Sequence, residues 1–103
     1  MKFSWDPDKS ASNKEKHGID FDQAKEVFMD NNAIVDQAKR VENEERWLAI
    51  GKTLKLFIVA IVFTIRDTTI RIISARQARK SEIKEYIRNS FKADTEHEDN
   101  ENR

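Results

Sequence analysis

At 103 residues the chain has room for one compact domain with a single small core, and 38% hydrophobic with 37% charged residues excludes a disordered composition. The 19 basic and 19 acidic residues cancel, yet from Asp94 to Arg103 five acids meet one base, so a tail of net −4 follows a basic domain of net +4. With no cysteine there are no disulfides, thiol nucleophiles or thiolate metal sites, and with no signal-like or bilayer-length apolar run a cytoplasmic protein without a membrane partner is expected.

Phe3 and Trp5 alternate with polar neighbours before Asp6-Pro7-Asp8 turns the chain, which predicts a short first strand over 3–6. A polar helix is expected from Lys9 to His17, ended by Gly18, which adopts a left-handed conformation at little steric cost. Asp20 reads as an N-cap with Gln23 three residues on, a capping box, and Phe21, Ala24, Val27 and Phe28 line one face of the helix that follows. Asp30-Asn31-Asn32 supplies a turn, after which the apolar period falls from helical to near two.

Four strands are expected over Ala33–Gln37, Glu45–Gly51, Leu56–Arg66 and Thr69–Arg76. The gaps at Gly51–Lys55 and Asp67-Thr68 are too short for parallel crossovers, so an antiparallel meander is the simplest topology. Leu56 to Phe63 is apolar throughout, which predicts a central strand covered on both faces. From Arg79 to Phe91 the period is helical again, with Ile83, Tyr86, Ile87 and Phe91 in one stripe and Lys80, Lys84 and Arg88 in a row beside it. The order of helices, antiparallel sheet and helix defines an α+β domain over 1–92, and the acidic tail over 93–103, having no apolar anchor, is expected to be disordered.

Gly18 and Gly51 are the only glycines, so a phosphate-cradling glycine loop cannot be built, and two histidines, one of them in the tail, do not make a metal site. Neither metal nor cofactor is expected. What remains is arginine near strand ends: Arg46 opens one strand, Arg66 closes the central one, and Arg71 and Arg76 lie on the last. Their planar guanidinium forks suit phosphate, and a rim of them would hold an RNA backbone and offset charge that develops on it. Simple alternation sends Arg71 and Arg76 to opposite faces unless a bulge intervenes.

The ordinary fate of arginine in so charged a domain is solvation or pairing with a surface acid. His17 sits at the negative end of a helix dipole, which suits a proton carrier and equally a histidine bonded to a terminal carbonyl. Trp5 and Trp47 fit base stacking or core packing; Tyr86 fits a half-buried ring with its hydroxyl exposed; Lys80, Lys84 and Arg88 fit a solvated face.

Three segments taken together resemble the BrnT toxins of type II toxin-antitoxin systems. They are Trp5-Asp6 followed by Asn13-Lys14-Glu15-Lys16-His17-Gly18-Ile19, then Phe21-x-x-Ala24-x-x-Val27-Phe28-x-Asp30, and Arg71-Ile72-Ile73-Ser74-Ala75-Arg76-x-Ala78 with Glu82 and Tyr86. Glu45-Arg46-Trp47-x-x-Ile50-Gly51 agrees as well, and the resemblance spans about residues 3–88. It implies a RelE-like ribonuclease fold and a toxin that blocks translation by metal-independent RNA cleavage.

The resemblance also implies a BrnA-like ribbon-helix-helix antitoxin as partner, a heterotetramer built on an antitoxin dimer, and operator DNA contacted only through the antitoxin. Carried over by position, it assigns catalysis to His17, Arg46, Arg66, Arg76 and Tyr86, with His17 or Tyr86 moving protons. Lys14, Arg71, Lys84 and Arg88 would bind substrate. Two other readings compete: a non-catalytic RNA- or DNA-binding subunit using the same basic rim, and a scaffold domain whose arginines only form surface ion pairs.

Overall fold

The structure, a computed structural model, describes the backbone of residues 1–101 and the side chains of residues 1–92. The expected disorder of the tail falls on residues whose side chains lie outside that range. The elements run β1 (Lys2–Ser4), α1 (Pro7–His17), α2 (Phe21–Ala24), a 3₁₀ turn (Lys25–Met29), β2 (Ile34–Val41), β3 (Glu44–Lys52), β4 (Ile58–Arg66), β5 (Thr69–Gln77) and α3 (Lys80–Glu101).

Local chemistry accounts for the helix ends. Asp6 caps α1 by accepting from the Asp8 amide at 2.9 Å, and Pro7 occupies the first helical position, where its missing N–H is no loss. Gly18, at φ 75°, closes α1 by donating its N–H to the Lys14 carbonyl at 2.9 Å. The capping box is present: Asp20 accepts from the Gln23 amide at 2.8 Å while Gln23 Oε1 accepts from the Asp20 amide at 3.3 Å. The single helix expected from Phe21 onward is instead one α turn tightening into the 3₁₀ turn, and Phe21, Ala24 and Val27 are buried along it.

The sheet has the order β1-β5-β4-β3-β2. Its last four strands form the expected antiparallel meander, and β1 adds a fifth, parallel to β5 through Thr69, Ile70 and Arg71. One face, bearing Ala49, Val59, Ile61, Phe63, Ile72 and Ala75, packs on Phe21, Ala24 and Val27 and holds the main core. On the other, Ile50 and Ala60 meet Tyr86 of α3.

Two turns and a bulge depart from or refine the sequence reading. β2 runs beyond Gln37 because Glu42 and Asn43, at φ 50° and 64°, make a two-residue hairpin that carries no glycine signal. Within that hairpin Lys39 and Arg40 stand against the single residue Glu45, a bulge. β4 begins only at Ile58: Leu56 turns at φ 69°, its amide donates to the Thr53 carbonyl, and Leu54, Leu56 and Phe57 are exposed in the loop. The apolar run therefore overstated the strand, because its first two residues, Leu56 and Phe57, are spent with Thr53, Leu54 and Lys55 in reversing the chain between Lys52 and Ile58.

The decisive irregularity is in β5. Val62 pairs with Ser74 and Phe63 with Ile72, so Ile73 is an extra residue. Paired residues share a face, so Ile72 and Ala75 both enter the core while Arg71, Ser74 and Arg76 all point the other way.

β3 passes close beneath the 3₁₀ turn at Gly51, where a Cβ would lie 2.8 Å from Val27 Cγ1 and 3.0 Å from Ala33 Cβ. Gly51→Ala is expected to cost about 1–3 kcal/mol of stability through overpacking, measured as a lower urea midpoint at unchanged slope.

Candidate functional site

Because the bulge brings Arg71 round to the face of Arg46 and Arg66, three arginines from three strands line one shallow pocket of about 110 Å³. Asp6, Lys9, Glu44, Ile72 and Ile73 complete its wall. Arg66 Nε donates to Glu44 at 3.1 Å, an exposed pair of the kind that contributes at most about 1 kcal/mol and yields readily to a competing anion. Arg46 is half-buried, and its Nε–H is cut off from solvent with no acceptor among the described residues. A buried donor in that state is unfavourable until an acceptor arrives.

A second groove runs on from the first. It is lined by Lys9, Ser12, Asn13, Lys16, His17, Ile73 and Ser74, and it shares Lys9 and Ile73 with the arginine pocket. His17 is exposed there in the last turn of α1. Lys9 and Lys16 were missed by sequence reasoning; their spacing with Asn13 and His17 on one helix face was the available signal.

Other expected site residues lie elsewhere. Arg76 shares the arginine face but is clamped by Glu82 of α3, through contacts of 2.7 and 2.9 Å. The Arg76 hydrogen bond holds the Glu82 carboxyl below its ordinary range despite partial burial, so the pair stays ionised. Lys14 bonds Gln23 at 3.2 Å and lines a different, more apolar groove of about 390 Å³ with Leu54 and Phe57. Lys84 is exposed on α3, and Arg88 pairs with Glu85 at 2.7 Å beside Ile34 and Asp36. Trp5 packs edge-on against Phe21, and Trp47 packs on the main core.

Tyr86 departs furthest from expectation. Its ring is 3% exposed, and its hydroxyl donates to Asp30 Oδ2 at 2.6 Å. Burial, reinforced by the Asp30 carboxylate, pushes the hydroxyl up to about 12, and its proton is directed at Asp30. Burial also pushes the Asp30 carboxyl up, but hydrogen bonds from Tyr86 and from the Lys52 and Asn32 amides outweigh it and hold the group below its ordinary 3.8.

A family model described as the ribonuclease toxin BrnT of type II toxin-antitoxin systems matches residues 5–82. The chain belongs to the BrnT family. The crystal structure of the Brucella abortus ribonuclease toxin BrnT is similar to it, with 30% identity and a TM-score of 0.60 over 78% of this chain and 99% of that one. No curated protein matches. Membership of this BrnT family makes the chain a ribonuclease toxin of a type II system, which implies an antitoxin partner. The matched segment contains both grooves and stops short of Tyr86. Among the described residues no helix is long and apolar enough to cross a membrane.

A carboxylate held below its ordinary pKa adds stability at pH values above the unfolded-state pKa and loses it as pH falls through the folded one. Tyr86→Phe is therefore expected to lose about 1.5–3 kcal/mol at neutral pH, with the gap from the parent protein narrowing below about pH 4 as Asp30 protonates. Urea denaturation across that range checks it.

Proposed function

We propose that this BrnT-family chain is a metal-independent endoribonuclease that inhibits translation in the cytoplasm by cutting messenger RNA. The observation that carries the reading is the meeting of Arg46, Arg66 and Arg71 in one pocket, with the Arg46 Nε–H buried and lacking an acceptor among the described residues. A phosphate oxygen supplies that acceptor, and planar guanidinium groups grip phosphate through paired hydrogen bonds.

For the reaction we propose the course that metal-independent RNA cleavage implies. The ribose 2′-oxygen attacks the adjacent phosphorus and loses its proton; the bond to the 5′-oxygen breaks, and that oxygen takes up a proton. A 2′,3′-cyclic phosphate and a 5′-hydroxyl result. The arginines offset the charge that grows on the phosphate oxygens, and His17, in the adjoining groove that shares Lys9 and Ile73 with the arginine pocket, moves the protons. Lys9 and Lys16 extend the positive track along α1 and take the backbone-binding role that the sequence assigned to Lys14, Lys84 and Arg88.

The partner is a BrnA-like ribbon-helix-helix antitoxin, assembled as a heterotetramer through its own dimer and carrying all operator contacts. A basic groove that accepts RNA also accepts an acidic or helical segment in its place.

Purified protein incubated with a messenger RNA in EDTA should yield fragments ending in cyclic phosphate. Arg46→Ala and Arg71→Ala should each lower the rate about a hundredfold or more while reducing the salt slope of RNA binding by about one and leaving the fold intact by circular dichroism. RNA that is shifted but never cut, with or without divalent metal, identifies a binding subunit and refutes the ribonuclease.

A further inference from the structure

Strand β1 pairs with β5 only through Thr69, Ile70 and Arg71. Beyond Arg71 the outer edge of β5 has no strand beside it, so its backbone groups need other partners. At Ala75 they find one side chain. Asn13, 8% exposed in the middle of α1, donates from Nδ2 to the Ala75 carbonyl at 2.8 Å and accepts at Oδ1 from the Ala75 amide at 3.3 Å. The second Nδ2 proton goes to the Ile19 carbonyl at 2.7 Å. A carboxamide has the donor and acceptor of a peptide group, and here it occupies the place of a neighbouring strand.

This one amide joins three parts of the chain: α1, the reversal at Gly18–Ile19, and β5 two residues past the bulge at Ile73. Lys9, one turn before Asn13, and Lys16 and His17, one turn after it, share its helix face and reach the groove beside Ile73 and Ser74. We infer that Asn13 is a positioning residue, whose clasp on Ala75 sets the distance from His17 to the phosphate held by Arg46, Arg66 and Arg71. This rests on the ribonuclease reading above. Alanine at position 13 removes the clasp; aspartate turns a carboxylate oxygen toward two carbonyl oxygens.

The test separates cutting from holding. A 2′-deoxy oligonucleotide binds through its phosphates but has no attacking hydroxyl. For Asn13→Ala, the single-turnover rate on bound RNA is expected to fall about a hundredfold, the scale of loss when reacting groups are misplaced by about 1 Å. Affinity for the 2′-deoxy oligonucleotide should change by less than about threefold, and the limb of the pH–rate profile due to His17 should shift or vanish.

A second readout does not need catalysis. The 2′-deoxy oligonucleotide should perturb the NMR resonances of the His17 ring in the parent protein, and this response should be lost in Asn13→Ala at a temperature where it is folded. If Asn13→Ala does not fold, Asn13→Ser, which keeps a hydroxyl near Ala75, takes its place with partial losses in both readouts. A folded variant that cuts at the parent rate, or in which His17 still responds to the oligonucleotide, overturns the inference. A parent protein that cuts no RNA at all refutes the ribonuclease instead, while the NMR response still reports whether Asn13 places His17.

Discussion

A strand with strict alternation cannot send Ile72 and Ala75 to the same face, because they stand three positions apart, an odd number. Ile73 resolves this by standing outside the register, and everything on the open face depends on it. Without the bulge, either Arg71 or Arg76 would be driven into the main core, where a guanidinium without a partner is strongly unfavourable. With it, both apolar residues are buried at 1% exposure and both arginines leave the core together. The pocket is thus a by-product of how the core is packed, which is why a positively charged cluster can persist on so small a domain.

The face that receives the arginines is divided between two uses. Its lower half is covered by α3, docked through Tyr86 on Ile50 and Ala60 and tied by Tyr86 to Asp30, Arg76 to Glu82 and Asn89 to the Asn32 carbonyl. Its upper half carries Arg46, Arg66 and Arg71. Arg76 lies on the boundary and belongs to the covered half. A bidentate, partly buried ion pair is costly to break from one side, so this arginine secures the helix while its neighbours remain accessible.

Much of this was legible in the chain. Asp20 with Gln23, Gly18, the Asp67-Thr68 turn and the period-two segments each specify local geometry through short-range hydrogen bonding or sterics, and the elements formed where those signals stood. The convergence of arginines was legible as a possibility. What was hidden depends on contacts distant in sequence. The parallel pairing of β1 spans the whole domain; the register slip at Ile73 is decided by core packing; the Tyr86–Asp30 and Asn13–Ala75 bonds join residues 56 and 62 positions apart. Tyr86 entered through the resemblance and Arg76 also through its place near a strand end, and neither signal in the sequence announces their bonds to Asp30 and Glu82.

The hairpin bulge in β2 bears on a separate matter, the behaviour of the molecule in a crowd. β2 is the long outer strand of the sheet, and an uninterrupted outer strand is a template on which identical chains add to one another. Here Lys39 and Arg40 crowd opposite Glu45, so the backbone of that margin falls out of step; Arg40 pairs with Glu45 at 2.9 Å, and Lys39 is left exposed toward any copy approaching it. An irregular, charged margin of this kind is a poor template for adding a further strand.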